Sequence, residues 1–524
     1  MKKIFSILLG AAAMLMGLSS CVDDLDQKPI IGANSTTVYS TIDGYRSVLA
    51  KIYGSYSLVG QERASNVDLS SNKGEALLRN IFNLQEAPTD EVAYTWLSGD
   101  QLEPIVYMTW DASDIWVSDT YYRLYYSIAL CNEFLRYCGD ASIGGFNADE
   151  QAEIRTYAAE ARFMRALSYY FVLDLFRKGP YVDEHTPTSG IIPPAYDGTQ
   201  LYDFISSELL AIENALPEVN SYGRAGQAAL WALGVRLNLN AKVYTGTEHY
   251  TECISYAKKI IATGKYTLES DYSKLFNADN FKRTNEIIFA FVADADNATT
   301  WGAATYITAG SVGSDELQDP AKYGLATGWG NLRLRSQFCD LFTNADADSR
   351  NLIFRDGLTQ NVSDMTLQTS GFRSEKWTNL TDDGAASSVS TERGCDTDYP
   401  MFRLAEIYLS AAEAVVRGGG GMSRSEALDL VNDVRKRAYG DESGNISDAQ
   451  MTADFFMAER GRELFYEAVR RSDLIRFEAF SGSKYIWEWK GGTAEGKATD
   501  ARYDIYPIPM AELSANPNLK NELY

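Results

Sequence analysis

The sequence is long, strongly acidic and rich in hydrophobic residues. With 524 residues, 45% of them hydrophobic, the chain can bury one large core or two fused ones. Its 71 acidic and 48 basic side chains leave a net charge of −23, which repels phosphate backbones and anionic lipid headgroups. The composition therefore argues against a nucleic-acid-binding protein and favours a neutral ligand.

The N-terminus has the organisation of a bacterial lipoprotein signal. Two lysines precede the apolar run 4–18, which is too short for a membrane span of roughly 20 residues. The sequence Leu-Ser-Ser-Cys at 18–21 then resembles a lipobox, in which the cysteine is lipidated and becomes the mature N-terminus. We predict a signal peptide over 1–20, lipidation of Cys21, and a tether over 21–41 that anchors the protein to a membrane. A plain signal peptide followed by an incidental cysteine is the alternative.

Helical periodicity dominates the rest of the chain. Apolar residues recur at steps of three or four along 154–175, which gives one continuous face of a helix. Similar patterns predict helices over 112–138, 200–216, 224–244, 249–263, 400–417, 424–438 and 453–480. Several of these helices form pairs joined by glycine, with alanine at the close contacts, which is typical of tetratricopeptide-like stacks. We predict an all-α fold built as a tetratricopeptide-like paired-helix scaffold.

Two regions, 60–110 and 265–400, are predicted to be irregular. They are rich in Gly, Asn, Asp, Ser and Thr and contain only short strand-like runs such as Ile287–Val292. The tryptophans that they carry argue against disorder, namely Trp96, Trp110, Trp301, Trp329 and Trp377. Long irregular segments inside a compact protein are usually functional. Because tyrosine and tryptophan rings stack on the apolar face of a sugar, we predict ligand-binding loops in these regions.

No catalytic motif stands out in the sequence. Two histidines exclude an HExxH site and argue against a multi-histidine metal centre, and no G-x-S-x-G elbow occurs. The five cysteines beyond Cys21 are an odd number, and we predict that they are small buried side chains without a disulfide framework. Carboxylate pairs for glycoside hydrolysis cannot be recognised among 71 acidic residues, so a surface glycosidase remains a rival interpretation.

Six short motifs resemble those of one known family. They are Glu160–Ala166 (EARFMRA), Phe402–Glu406 (FRLAE), Glu459–Leu464 (ERGREL), Arg471–Arg476 (RSDLIR), Tyr506–Pro509 (YPIP) and Asn516–Leu519 (NPNL). Together they resemble helices and the C-terminal signature of the SusD/RagB family of outer-membrane lipoproteins. Behind Cys21, the residues Asp23, Asp24 and Asp26 resemble the acidic stretch that directs lipoproteins of this group to the cell exterior.

The resemblance implies both an architecture and a role. The architecture is one compact unit with an N-terminal half over 42–285 and a C-terminal half over 286–524. The role is that of a non-catalytic surface lipoprotein, which captures a polysaccharide and passes it to a SusC-like TonB-dependent transporter. No cofactor is required for this role.

The match is closest to the starch-binding members of the family. It includes the segments Glu86–Glu91, Asp396–Asp398 and Lys484–Gly492. By this resemblance, Trp96, Trp329 and Tyr306 form an aromatic arc that stacks on an α-glucan such as starch or a malto-oligosaccharide, and Arg79 binds hydroxyl groups. The sequence departs from the pattern at Gly99, where the starch binders use an amide side chain. The departure leaves the glycan linkage open.

Two further points stay open in the sequence. Asp396 and Asp398, with Asp279, are candidate ligands of a structural Ca²⁺, because hard cations favour several carboxylate oxygens. Alternatively, one of these carboxylates caps a helix that begins near Pro400. The rivals to an α-glucan are dextran, another glycan or a peptide on the same scaffold, or a purely structural scaffold for other lipoproteins.

Overall fold

The computed structural model describes residues 35–60, 67–69, 75–342, 347–387 and 394–524. The predicted signal peptide, Cys21 and most of the predicted tether lie outside these residues. Contacts divide the chain into two units, Met1–Val48 and Leu49–Tyr524. Apart from residues 35–48, the features described below belong to the second unit.

The described part of the chain is mostly helical. Its α-helices are α1 Ser35–Val38, α2 Ile42–Ser57, α3 Leu77–Glu86, α4 Leu97–Asp100, α5 Glu103–Val106, α6 Ile115–Arg136, α7 Asp140–Ile143, α8 Ala148–Phe176, α9 Gly198–Ile212, α10 Gln227–Leu239, α11 Ala241–Thr245, α12 Tyr250–Ala262, α13 Ala303–Ser311, α14 Ser336–Cys339, α15 Leu404–Val416, α16 Arg424–Tyr439, α17 Ala453–Leu464, α18 Arg470–Arg476 and α19 Met510–Ala515. Helices α6 and α8, α10 and α12, and α15 and α16 pack as pairs, and α12 also packs on α15. The predicted paired-helix scaffold is confirmed.

The strands are short and pair two by two. They are β1 Ala93–Tyr94, β2 Gly179–Pro180, β3 Ala195–Tyr196, β4 Ile287–Phe291, β5 Leu332–Arg333, β6 Ile353–Phe354, β7 Arg373–Ser374 and β8 Tyr399–Arg403. The antiparallel pairs are β1 with β5, β2 with β3, β4 with β8, and β6 with β7. Their backbone hydrogen bonds hold the segments between the helices in place.

Helix α8 shows how the polar residues of a family motif serve the fold. It begins at a capping box in which Asn147 accepts from the backbone of Glu150 and the Glu150 side chain returns to the cap, satisfying two donors of the first turn. Within it, Glu160 accepts a 3.0 Å hydrogen bond from Arg224 Nε, and Arg165 pairs with Glu208 of α9 at 2.9 Å. Both buried charges are paired: Glu160 joins α8 to the segment before α10, and Arg165 joins it to α9.

A larger group of buried charges joins β8 to the C-terminal helices. Arg403 pairs with Glu286 at 3.0 Å, with Glu463 at 2.6 Å and with Glu467 at 2.7 Å. Burial alone would raise the pKa of Glu463, but Arg437, Arg403 and neighbouring cations outweigh it and hold the pKa well below its usual range. The charged motifs around 403 and 463 are therefore structural.

The structure corrects two of the predicted helices. The segment predicted as helix from residue 400 begins as strand β8, because its backbone pairs with β4. The prediction over 453–480 spans a break between α17 and α18, where Tyr466 and Ala468 have φ values of 61° and 57°. The amide of Tyr466 donates to the buried Glu91 carboxylate at 3.0 Å, which stabilises this irregular turn.

The two regions predicted to be irregular also contain helices. In α3 every residue is buried, including its polar side chains, so the segment has no exposed face to reveal its helical period. Helix α13 is likewise buried along its whole length. The strand-like run at Ile287–Val292 is confirmed as β4.

The structure also bears on the predictions about the cysteines and about membrane-spanning segments. The five cysteines of the described chain are unpaired, and all but Cys138 are buried. No helix in the described ranges combines the length and apolar character needed to cross a bilayer.

Candidate ligand-binding site

Three tryptophans lie side by side at the meeting point of two of the long connections. The ring centroids of Trp96 and Trp329 are 6.3 Å apart with 33° between their planes. Those of Trp329 and Trp301 are 6.4 Å apart with 57° between their planes. Trp96 is 36% exposed and the other two are half-buried. We call these residues the tryptophan triad, with Trp329 in the middle.

The pairing of β1 with β5 brings two members of the triad together. Tyr94 is opposite Leu332 in this antiparallel pair, so residues that follow β1 lie beside residues that precede β5. The pairing continues beyond the strands, since the amide of Thr95 donates to the Asn331 carbonyl at 3.0 Å. The hydroxyl of Thr95 also donates to the Gly330 carbonyl at 3.0 Å. Trp96 and Trp329 therefore meet although they are far apart in the chain.

The middle ring of the triad rests on a small apolar core. Trp329 packs against the buried cluster of Ala309, Val312, Tyr323, Leu325 and Cys395. Its amide donates to the Ala309 carbonyl at 2.8 Å, which fixes the backbone of this connection to α13. Glycine is needed just before it, because a Cβ on Gly328 would lie 2.3 Å from the Gly313 carbonyl oxygen. The Trp329 ring is thus held in place by the apolar cluster and by the fixed backbone on either side of it.

Tyr306, the third predicted member of the aromatic arc, is not at the surface. It lies within α13 with no exposed area, and its hydroxyl donates to Asn83 Oδ1 at 2.8 Å. The guanidinium of Arg79 lies 4.3 Å from the centre of its ring. Tyr306 has no free face for a sugar, so the structure corrects this prediction. Trp301 occupies the end of the triad instead.

Arg79 is also engaged with protein groups. It pairs with Glu75 at 2.7 Å and with Asp100 at 2.9 Å, and it is 6% exposed. Burial would lower the pKa of Arg79, but the nearby carboxylates, Glu75 foremost, outweigh it and hold the pKa above its usual range. The hydroxyl of Tyr94 donates to the same Asp100 carboxylate. Arg79 therefore orders the segment behind Trp96, and a direct contact with hydroxyl groups stays a prediction.

Gly99 lies in the short helix α4, between Trp96 and the bound carboxylate of Asp100. A Cβ added to Gly99 would meet no atom within 4 Å, so the residue faces open space. A side chain at position 99 would therefore fit.

The three predicted calcium ligands are occupied elsewhere. Asp398 accepts from the amide of Ala293 at 2.7 Å, Asp396 accepts from that of Ala295 at 3.1 Å, and Asp279 pairs with Lys282 at 2.8 Å. Burial raises the pKa of Asp398 to about 6. Within the described ranges no group of three or more His, Cys, Asp or Glu side chains is arranged to hold a metal ion. The structure thus does not unite the three carboxylates, and neither Asp396 nor Asp398 caps a helix, since a strand follows them.

Sequence comparison identifies the family. The chain is 32% identical, over an alignment 580 positions long, to the starch-binding protein SusD of Bacteroides thetaiotaomicron, covering 100% of this chain and 99% of that protein. The chain belongs to the SusD family. The family model, described as the SusD family, matches residues 348–524. SusD-like protein P25 of Formosa agariphila is 24% identical over 77% of this chain and 78% of its own.

Solved structures show the same fold. The surface glycan-binding protein A of B. thetaiotaomicron, solved in complex with laminarihexaose, superposes with a TM-score of 0.69 at 20% identity. The superposition covers 92% of this chain and 99% of that one. A SusD superfamily protein of Bacteroides vulgatus reaches a TM-score of 0.71 at 18% identity, over 92% of this chain and 99% of its own. The likeness extends over nearly the whole scaffold.

Sequence reasoning missed Trp301 because Tyr306 was chosen from a loose match. A signal was present in the sequence, since Trp301-Gly302 repeats the tryptophan–glycine step of Trp329-Gly330. The glycine matters in the structure, because a Cβ on Gly302 would lie 2.5 Å from the Cβ of Ala76. At both positions the glycine after the ring is approached closely by a neighbouring side chain.

Proposed function

We propose that this SusD-family protein is a non-catalytic surface lipoprotein that binds an α-glucan such as starch or a malto-oligosaccharide. It passes this ligand to a SusC-like TonB-dependent transporter in the outer membrane. The observation that carries the proposal is the tryptophan triad, a row of three large rings on a fixed backbone.

The geometry of the triad supports a curved sugar chain as the ligand. Tryptophan rings bind the apolar face of a sugar and keep their own shape on binding. Successive planes in the triad tilt by 33° and 57°, so the rings do not share one plane. An α-1,4-glucan coils and presents a curved row of sugar faces, whereas an extended β-1,4 chain is flat. The net charge of −23 also suits a neutral ligand.

The relatives support the same ligand class but differ in linkage. The relative at 32% identity is named for starch, whereas a structural neighbour holds laminarihexaose. Gly99 lacks the side chain that the starch binders use next to the arc. A glucan of another linkage is therefore the second candidate, and the comparison of ligands below decides between the two.

The groups around the triad support binding without catalysis. Asp100 is the nearest carboxylate to Trp96 along the chain, and it accepts from Arg79 at 2.9 Å and from Tyr94. Both hydrogen bonds engage this carboxylate with protein groups that order the segment around Trp96. Incubation with each glycan should therefore release no reducing sugar, and release by the purified protein would refute the non-catalytic role.

Native affinity electrophoresis of residues 22–524 tests the ligand. Amylopectin in the gel should retard the wild-type protein, and the Trp96→Ala/Trp329→Ala variant should lose the retardation. Trp301→Ala should weaken it, whereas Phe281→Ala, which removes an aromatic ring that is 48% exposed outside the triad, should not. Retardation by dextran or laminarin alone would select another linkage, and no retardation in any gel would refute the proposal.

The anchor and the partner need their own test in cells. Cys21→Ser should abolish labelling by radioactive palmitate and release the protein from the outer-membrane fraction. Wild-type protein should co-purify with a SusC-like transporter after mild detergent extraction. Failure of the wild type to incorporate palmitate would refute the anchor, and absence of the transporter from the purified material would refute the partnership.

A further inference from the structure

A polar pair, Ser314 and Gln368, lies against the backbone directly after the middle ring of the triad. Gly330 follows Trp329 with a φ of 63°, and a Cβ there would lie 2.2 Å from Gln368 Oε1. The amide of Gln368 therefore packs on the Gly330 backbone, within one residue of the Trp329 ring. Ser314 is exposed and Gln368 is half-buried, so the pair borders solvent.

The two side chains hold each other in place and retain hydrogen-bonding capacity. Gln368 Oε1 accepts from the amide of Ser314 at 3.1 Å, and its Nε2 donates to the Ser314 hydroxyl oxygen at 2.8 Å. A glutamine amide carries two hydrogens, and in the described part of the chain one of them is used in this way. The second hydrogen of Nε2 remains for a ligand.

Two fully buried arginines hold the loop that carries Gln368. We call residues 364–370 the rim loop. Arg333 donates to the carbonyls of Leu367 at 2.7 Å and Met365 at 2.5 Å, and also to that of Ser370. Arg373 donates to the Gln368 carbonyl at 3.1 Å.

The same Arg373 fixes the segment that carries Ser314. It donates to Asp315 Oδ1 at 3.0 Å and to Gln318 Oε1 at 2.9 Å. The close approach requires a glycine, because a Cβ on Gly313 would lie 1.9 Å from the Arg373 guanidinium. Both halves of the polar pair are thus positioned by one buried side chain.

Holding the rim loop in this way is costly for the fold. Burial lowers the pKa of Arg333 to about 10, because its charge is taken from water and met in the loop by neutral carbonyls. A fixed loop beside a solvent-facing ring, maintained at such a cost, is typical of a binding element that must not rearrange. The Gln368 amide is the polar group that this arrangement presents next to Trp329.

We infer that Gln368, held by Ser314, hydrogen-bonds a hydroxyl group of the sugar that stacks on Trp329 and so determines which glucan linkage is bound. This inference rests on the proposed glucan-binding function. The Gln368 amide, which lies in the connection 265–400, supplies the kind of group that is missing at Gly99 in the connection 60–110. Arg333 and Arg373 are positioning residues, because they act on the loop and not on the ligand.

The test compares Gln368→Ala with a matched control on the same loop. Thr369→Ala is the control, because its side chain is exposed and its contact within the described residues is made by its carbonyl, which accepts from the Thr359 amide at 3.1 Å. Isothermal titration calorimetry measures binding of maltoheptaose, isomaltoheptaose and laminariheptaose to residues 22–524. Thermal unfolding of each variant shows whether the fold is retained.

The expected result is a loss of affinity confined to one variant. Gln368→Ala should weaken binding of the best ligand by about 2- to 12-fold, as expected for one neutral hydrogen bond in a binding site. The substitution should reduce the ratio of affinities between the best ligand and the other two oligosaccharides. The melting temperature of Gln368→Ala should equal that of Thr369→Ala. Ser314→Ala should produce a smaller loss, because it loosens the amide without removing it.

The outcomes separate this inference from the function on which it rests. Wild-type binding that Trp96→Ala/Trp329→Ala abolishes, but that Gln368→Ala leaves unchanged, would overturn the inference and leave the proposed function standing. Equal losses in Gln368→Ala and Thr369→Ala would also overturn it, since they would report a change in the loop. A wild type that binds none of the three oligosaccharides would overturn both.

Discussion

Trp96→Ala gives a quantitative test of the triad, because the exposed part of the ring limits what a ligand can gain there. Trp96 is 36% exposed, so of the ~250 Å² that a tryptophan can bury about 90 Å² is open to a sugar. At about 25 cal/mol per Å², complete coverage of this area contributes at most about 2 kcal/mol. The substitution should therefore weaken binding by about 10- to 40-fold, the smaller loss corresponding to partial coverage.

Calorimetry with maltoheptaose measures this loss, and Tyr306→Phe provides the contrast. Removing the Tyr306 hydroxyl leaves the buried Asn83 Oδ1 without its 2.8 Å donor, which should lower the free energy of unfolding by about 1–3 kcal/mol. Its affinity for the oligosaccharide should hardly change, because the ring is buried. The reasoning is refuted by a Trp96→Ala loss below about threefold, or by a Tyr306→Phe loss of affinity as large as that of Trp96→Ala with an unchanged melting temperature.

Three further predictions concern linkage, pH and the buried charges. Gly99→Asn should fit without loss of stability, because the position faces open space, and should raise affinity for maltoheptaose relative to laminariheptaose by calorimetry. Burial raises the pKa of Glu91 to about 7, with an added contribution from Asp90, so the protonated form stabilises the fold below about pH 4.5 and this stability is lost as the pH rises from there through 7. Glu86→Gln keeps a donor toward Glu91 at every pH and should reduce the fall in urea-unfolding free energy between pH 5 and 7, which is on the order of 2 kcal/mol in the wild type. Arg403→Met should cost about 3–5 kcal/mol in the same assay, since it removes the shared partner of three buried carboxylates.

Each of these predictions has a control nearby. Ser98→Asn adds the same amide beside Gly99 and should leave the ratio of affinities unchanged; an equal effect of both variants would contradict the role of position 99. A pH dependence that is identical in wild type and Glu86→Gln would show that the carboxyl pair does not titrate in this range. Arg424→Met breaks an ion pair with Asp448 whose partners are 46% and 59% exposed, and it should cost less than about 1 kcal/mol. If it costs as much as Arg403→Met, burial is not the cause.

The long helices could be predicted from the sequence because their apolar residues recur at steps of three or four. Helix α8 follows the predicted apolar steps over 154–175 and extends to Ala148–Phe176. Helix α3 could not be predicted in this way, since Asn80, Asn83 and Glu86 are as buried as their apolar neighbours. Asn83 accepts from the Tyr306 hydroxyl and Glu86 accepts from the amide of Val469, and such tertiary contacts leave no periodic trace in the sequence.

The candidate site could be predicted in part. Trp96 and Trp329 were found from a resemblance, but their meeting depends on β1 and β5, two strands of two residues each that carry no pattern of their own. Tyr306 was assigned to the arc because an aromatic residue at a similar position is easy to match. Its place inside α13, beneath Arg79, follows from packing that the sequence does not display.

The rim loop has one more consequence, for the divergence of this protein. Arg333 grips residues 364–370 by carbonyl oxygens, which every amino acid supplies, and not by particular side chains. Mutations at the exposed loop positions Thr366 and Leu367 can therefore accumulate without loosening the grip. The side chains of the loop can therefore change while its backbone keeps the same position. Point mutations in the loop can alter which glycan is bound without altering the helical scaffold.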